Sequence, residues 1–151
     1  MAGTRPAATH IYQNHTLDST RWNHFSPRTD DIVIATPYKS GTTWMQIIVM
    51  HLIFGDLQVR PIGEVSPWFE VRWADSLADL LKKVEPQHHR RFVKTHLPLD
   101  GLPYFEQVKY IVVGRAPRDV FMSLWQFYAS TTTLVRHKPS RRFWVRWWWD
   151  R

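Results

Sequence analysis

No cysteine occurs in the 151 residues. Its absence excludes a disulfide framework, a thiolate metal site and a cysteine nucleophile, and it fits a reducing compartment. Long apolar runs are missing as well. The longest, around Trp44–Phe54, is broken by Gln46 and His51 and is too short to span a bilayer. The opening Met-Ala-Gly-Thr-Arg-Pro lacks the apolar centre of a secretory signal, so the expected location is cytoplasmic. Acidic residues are outnumbered, 13 against 20 lysines and arginines, for a formal net charge of +7. The imbalance is local. Arg136, Lys138, Arg141, Arg142, Arg146 and Arg151 are set against a single acid, Asp150, at the end of the chain, so the basic character belongs to a tail.

What is present is an ordinary globular composition, 44% apolar and 22% charged, in a chain long enough for one domain with a hydrophobic core. Residues 1–29 are polar. They read as a mobile, partly docked N-terminal arm anchored by Trp22 and Phe25, with His10, His15 and His24 spaced too loosely for a metal site. The domain is set at residues 30–135 and a basic, tryptophan-rich tail at 136–151.

Within the domain, Asp31–Thr36 reads as a buried strand and Thr42–Phe54 as a helix closed by Gly55. Pro61–Glu70 reads as a loop that either lines a substrate pocket or covers the core; Trp68 and Phe69 are its pocket candidates. Asp75–Glu85 has apolar residues at helical spacing, a capping box of Ser76 and Asp79, and Pro86 as its stop. His88–Arg91 reads as a solvated turn. Arg91–His96 and Val108–Gly114 read as further strands, the second with an apolar centre expected of a strand covered on both faces. Pro117 opens a helix over Asp119–Ala129.

Strands separated by helical segments build βαβ units. The expected fold class is therefore α/β, a P-loop-like parallel sheet flanked by helices on both faces. Ligands of such sheets bind beyond the carboxyl ends of the strands. Three groups are thereby predicted to converge: Lys39–Trp44 after the first strand, His96 after the second and Arg115 after the third.

Each suits an anion or a proton transfer. Backbone N–H groups of Ser40–Thr43 at a helix start can hold an anion, and Gly41 permits close approach. Lys39 adds a cation for charge growing on a leaving oxygen. His96 can take a proton from a hydroxyl near neutral pH. Arg115 can fork onto a second phosphate, with Ser123 two turns into the next helix. The loop lacks Walker A order because its lysine precedes its glycine, and no convincing acidic magnesium partner is present. A phosphate-loop phosphotransferase therefore stands second.

Thr36-Pro-Tyr-Lys-Ser-Gly-Thr-Thr-Trp44, Lys94-Thr-His96 and Val113-Gly-Arg115-Ala-Pro-Arg-Asp119 through Ser123 together resemble the cytosolic-type sulfotransferases, over about residues 20–130. The resemblance implies sulfuryl transfer from 3′-phosphoadenosine 5′-phosphosulfate to a hydroxyl or amine of a small, apolar acceptor, without a metal. It assigns the 5′-phosphosulfate to Lys39, Ser40, Gly41, Thr42 and Thr43, adenine stacking to Trp44, and the 3′-phosphate to Arg115 and Ser123. It makes His96 the general base and Lys94 a support for the transferred group. The family places tyrosine before proline ahead of the lysine, whereas here Pro37 precedes Tyr38.

Family members are about twice as long, and a later arginine–lysine–glycine segment that completes their 3′-phosphate site is not found here. The fold is therefore expected to be C-terminally incomplete, with impaired turnover. Residues 136–151 read as outside the family fold, the truncated or out-of-frame end of a longer coding sequence. The remaining alternative is a non-enzymatic binder that uses this tail for nucleic acid or membrane. Nucleic acid is not the expected partner, and the oligomeric state is open.

Overall fold

Ile32–Ala35 forms β1, the middle strand of a three-stranded sheet in the computed structural model, which describes residues 7–130. Its neighbours are β2, Phe92–Thr95, and β3, Lys109–Val112. Both pairings are parallel: Ile32 lies opposite Phe92 and Lys109, and Ala35 opposite Thr95 and Val112. The order β2–β1–β3 makes β1 the point where the chain changes direction across the sheet, which is where ligand crevices form in open α/β sheets.

Side-chain alternation explains the layers. Ile32 and Ile34 turn to one face and pack with Phe92 and with Val49 and Met50 of α1, Thr42–Phe54. Val33 and Val93 turn to the other and pack with Leu80 and Val84 of α3, Leu77–Val84. A short helix α2, Ile62–Val65, breaks the expected Pro61–Glu70 loop. Local caps fix the helix ends as the residues suggest. Gly55 closes α1 at φ 65° with its N–H donating to the His51 carbonyl, and Ser76 Oγ accepts the Asp79 N–H at 3.1 Å to open α3.

Three expectations are corrected. The segment before β1 is docked along more of its length than the two expected anchors, Trp22 and Phe25, imply. Leu17, Trp22 and Phe25 belong to the core, and a 3₁₀ turn over Ser19–His24 is capped by Asp18, because the Trp22–Phe25–Phe69 ring cluster buries more apolar surface than the turn costs in order. Arg91 is not part of a solvated turn. It is buried against Asp31, with Nε–Oδ1 at 2.9 Å and a second contact from Nη2, and it donates to the Ser26 carbonyl at 2.8 Å. Neither charge is tolerable there without the other. Finally, β3 is not covered on both faces. As an edge strand it leaves Lys109 and Val112 exposed.

The chain divides into two compact units, through Arg115 and from Ala116 onward. In the second, α4 spans Pro117–Ser130, with Pro117 in the first turn where no N–H partner is needed. The tail at 136–151 lies outside the described residues. Among the described residues no helix is long and apolar enough to cross a membrane.

Candidate active site

Beyond β1 the chain turns sharply. Lys39 takes φ 58° and Gly41 φ 91°, both left-handed, with Ser40 between them. Gly41 is the N-cap of α1, and no side chain caps it. The first amides of α1 therefore face outward from the positive end of the helix dipole. A Cβ placed on Gly41 would meet nothing within 4 Å, so open space lies before the turn. Ser40 and Thr42 are buried and Thr43 is exposed. Thr36 Oγ1 and Thr42 Oγ1, 2.5 Å apart, tie the strand end to the helix start. Trp44 stands on the surface, 79% exposed.

The end of β2 is built differently. His96 Nδ1 lies 2.7 Å from the Thr36 carbonyl, so Nδ1 carries the proton and Nε2 is left as the acceptor. Burial pushes the imidazole down to about 4, the Thr36 contact pulls it up, and the Lys94 charge lowers it further. The ring is neutral at physiological pH. Tyr38 and Trp68 stand 4.5 and 4.8 Å from it, ring centre to ring centre. Lys94 Nζ lies 5.1 Å over the Trp68 ring. Burial lowers the Lys94 pKa, and the Glu70 carboxylate opposes that shift.

At the end of β3, Arg115 Nη1 donates to the Lys39 carbonyl at 3.0 Å. Three strand ends predicted to converge are thus joined by hydrogen bonds, His96 to Thr36 and Arg115 to Lys39. Ser123 lies on α4, in the second compact unit. Trp68 is at the site, but Phe69 is not. Phe69 is wholly buried against Trp22 and Phe25, because the segment pairs with β2 through a Trp68–Lys94 bridge that turns successive side chains to opposite sides.

Sequence reasoning missed Thr36, Tyr38 and Glu70. Glu70 carried one signal, a lone acid between Phe69 and Val71 in an apolar stretch. It is completely buried and gathers donors from Trp22, Trp68, Thr95 and His96. Desolvation raises its pKa, against the donors that lower it.

Comparison with known proteins places the chain in a family. A family model described as "Sulfotransferase domain" matches residues 29–149, past the boundary drawn at 135. A glycolipid sulfotransferase of Mycobacterium tuberculosis is 41% identical over 115 residues, 76% of this chain and 35% of its own length. Human sulfotransferase 1E1 is 36% identical over 112 residues, 69% of this chain and 37% of the relative. The chain thus spans little more than a third of these curated relatives. Among solved structures, mouse sulfotransferase SULT7A1 complexed with PAP shares the fold at a TM-score of 0.58 and 24% identity, over 93% of this chain and 51% of that one. Retinol dehydratase in complex with androsterone and inactive cofactor PAP does so at 0.62 and 22%, over 84% and 47%.

Proposed function

We propose that this chain, which belongs to the sulfotransferase-domain family, serves transfer of a sulfuryl group from 3′-phosphoadenosine 5′-phosphosulfate to a hydroxyl of an apolar acceptor. The observation that carries the reading is the junction of three strand ends, with an uncapped helix start, a neutral histidine and an arginine held together by hydrogen bonds. The turn fits a phosphosulfate: two left-handed residues, open space before Gly41, and outward amides.

When bound, the donor supplies an electrophilic sulfuryl group on a phosphate leaving group. The amides of Ser40–Thr43 and the Lys39 side chain hold the anion and offset charge on the departing oxygen. Trp44 offers an exposed face for adenine. Arg115, with one arm on the Lys39 carbonyl, has further donors for the 3′-phosphate. His96 Nε2 accepts the acceptor's proton. An anion beside the ring favours its protonated form, which raises a proton affinity that burial has lowered. Lys94 supports the transferred group. No residue in this account requires a metal.

Solved neighbours that contain PAP support the donor, and neighbours in complex with retinol or androsterone support an apolar acceptor. The 41% identical relative, named a glycolipid sulfotransferase, favours a hydroxyl on a lipid-like molecule. Trp68 and Tyr38 beside His96 suit such a partner. A cytoplasmic setting fits the cysteine-free composition.

Calorimetric titration with 3′-phosphoadenosine 5′-phosphate tests the reading. Saturable binding is expected, weakened about tenfold or more by Lys39→Ala, the scale of one charge-assisted contact. Absence of binding, or equal affinity in the variant, overturns it. A screen of hydroxylated lipids and sterols with the sulfuryl donor then identifies the acceptor.

A further inference from the structure

We propose that Glu70 is a positioning residue for this site, a buried carboxylate that fixes the His96 main chain and the Trp68 indole. The proposal rests on the sulfuryl-transfer reading above.

Every hydrogen bond that the Glu70 side chain makes is one it accepts. Oε1 takes the Trp68 Nε1–H at 2.6 Å, the His96 N–H at 2.7 Å and the Thr95 hydroxyl at 3.1 Å. Oε2 takes the Trp22 Nε1–H at 3.1 Å. The Thr95 hydroxyl that donates to Oε1 also accepts the Leu97 N–H at 3.0 Å. Three of the four partners, the two indole N–H groups and the His96 N–H, can only donate, so the arrangement favours the ionised form against the burial that raises the carboxyl's pKa. A lone buried charge is a costly way to fill space. Packing alone would be served as well by an apolar side chain of similar size.

What the carboxylate joins explains the charge. It reaches β2 at Thr95 and His96, the segment before β2 at Trp68, and the N-terminal segment at Trp22. His96 is then held twice, through its main chain by Glu70 and through Nδ1 by Thr36. Trp68, held by its indole N–H, forms one wall of the His96 ring and lies under Lys94. Lys94, His96 and Arg21 are the titratable groups around the carboxylate, and its field favours the charged forms of Lys94 and Arg21.

Glu70→Gln keeps the shape while presenting an amide N–H₂ to the same donors. Turnover is expected to fall on the order of tenfold to a hundredfold, the cost of a misplaced catalytic group. Affinity for 3′-phosphoadenosine 5′-phosphate should stay within about twofold, since that nucleotide is held by the Lys39–Trp44 turn. Imidazole nitrogen shifts in NMR should show the Nδ1–H tautomer of His96 in the parent chain and a mixture in the variant. Lys94 should release its proton at lower pH in the variant. Thr95→Val, which removes one hydroxyl donor, should move the same readouts less, and it decides the matter if Glu70→Gln does not fold. Parent-like turnover and tautomer in the folded variant overturn the proposal. So does a loss of nucleotide affinity equal to the loss of turnover, which would mark general packing. If the parent chain binds no nucleotide, the functional reading fails, and the His96 tautomer still decides whether Glu70 positions the ring.

Discussion

The ends of β1 and β2 are adjacent in one sheet and are built on opposite plans. Beyond β1 the working parts are main-chain amides, shaped by left-handed Lys39 and Gly41 and opening onto empty space. Beyond β2 they are side chains, His96 and Lys94, set among half-buried aromatics and a buried carboxylate. Under the proposed function, the difference matches what each end would do. An anion of fixed charge is met well by fixed dipoles that need no adjustment. A proton acceptor must instead have its tautomer and proton affinity set by neighbours. The first plan depends on backbone conformation, the second on a network.

The strongest break of the comparison is His96→Ala. Turnover should fall about 10²- to 10⁴-fold, the usual contribution of a general base, while nucleotide affinity is unchanged. Paired steady-state and calorimetric measurements check the split. Next is Arg115→Ala, which removes both a phosphate donor and the link to the Lys39 carbonyl. It should weaken nucleotide binding by about 1.5–3 kcal/mol and leave the His96 tautomer as it was. Gly41→Ala is smaller. The new methyl has room, so its cost is left-handed strain of about 1 kcal/mol, read as lower thermal stability and looser nucleotide binding.

The smallest effect sharpens the other end. The folded His96 pKa, about 4, lies below its ordinary 6.5. The unfolded chain therefore takes up a proton before the folded one does. His96 contributes stability that is fully present above about pH 6.5 and is lost as pH falls toward 4. Denaturant unfolding across that window should show a shallower slope in His96→Gln than in the parent chain.

The same contrast governs what could be read from sequence. Caps at Gly55 and Ser76 are local chemistry and are legible, as are β1, α1 and the three strand ends that meet. Glycine at 41 announces its turn. Lys39 in the left-handed region does not, because nothing in a lysine marks it for positive φ. Glu70 was illegible as a hub because its donors come from residues 22, 68, 95 and 96, and no periodicity links them. Arg91 was misplaced for the same reason: its partner Asp31 is distant in sequence and adjacent only once β1 and β2 pair. Phe69 looked like its neighbour Trp68, and only their opposite directions separate wall from core.

The register of β1 has a further consequence, for synthesis. Its partners begin at Phe92 and Lys109, so no sheet hydrogen bond joins residues near in sequence. A ribosome that has released β1 and α1 has released no strand for β1 to pair with; Ile32 and Ile34 can pack on Val49 and Met50, but both edges of β1 stay open until most of the domain has emerged. Slow, late closure of this kind favours chaperone capture of the nascent chain, and slower translation between α1 and β2 should prolong it.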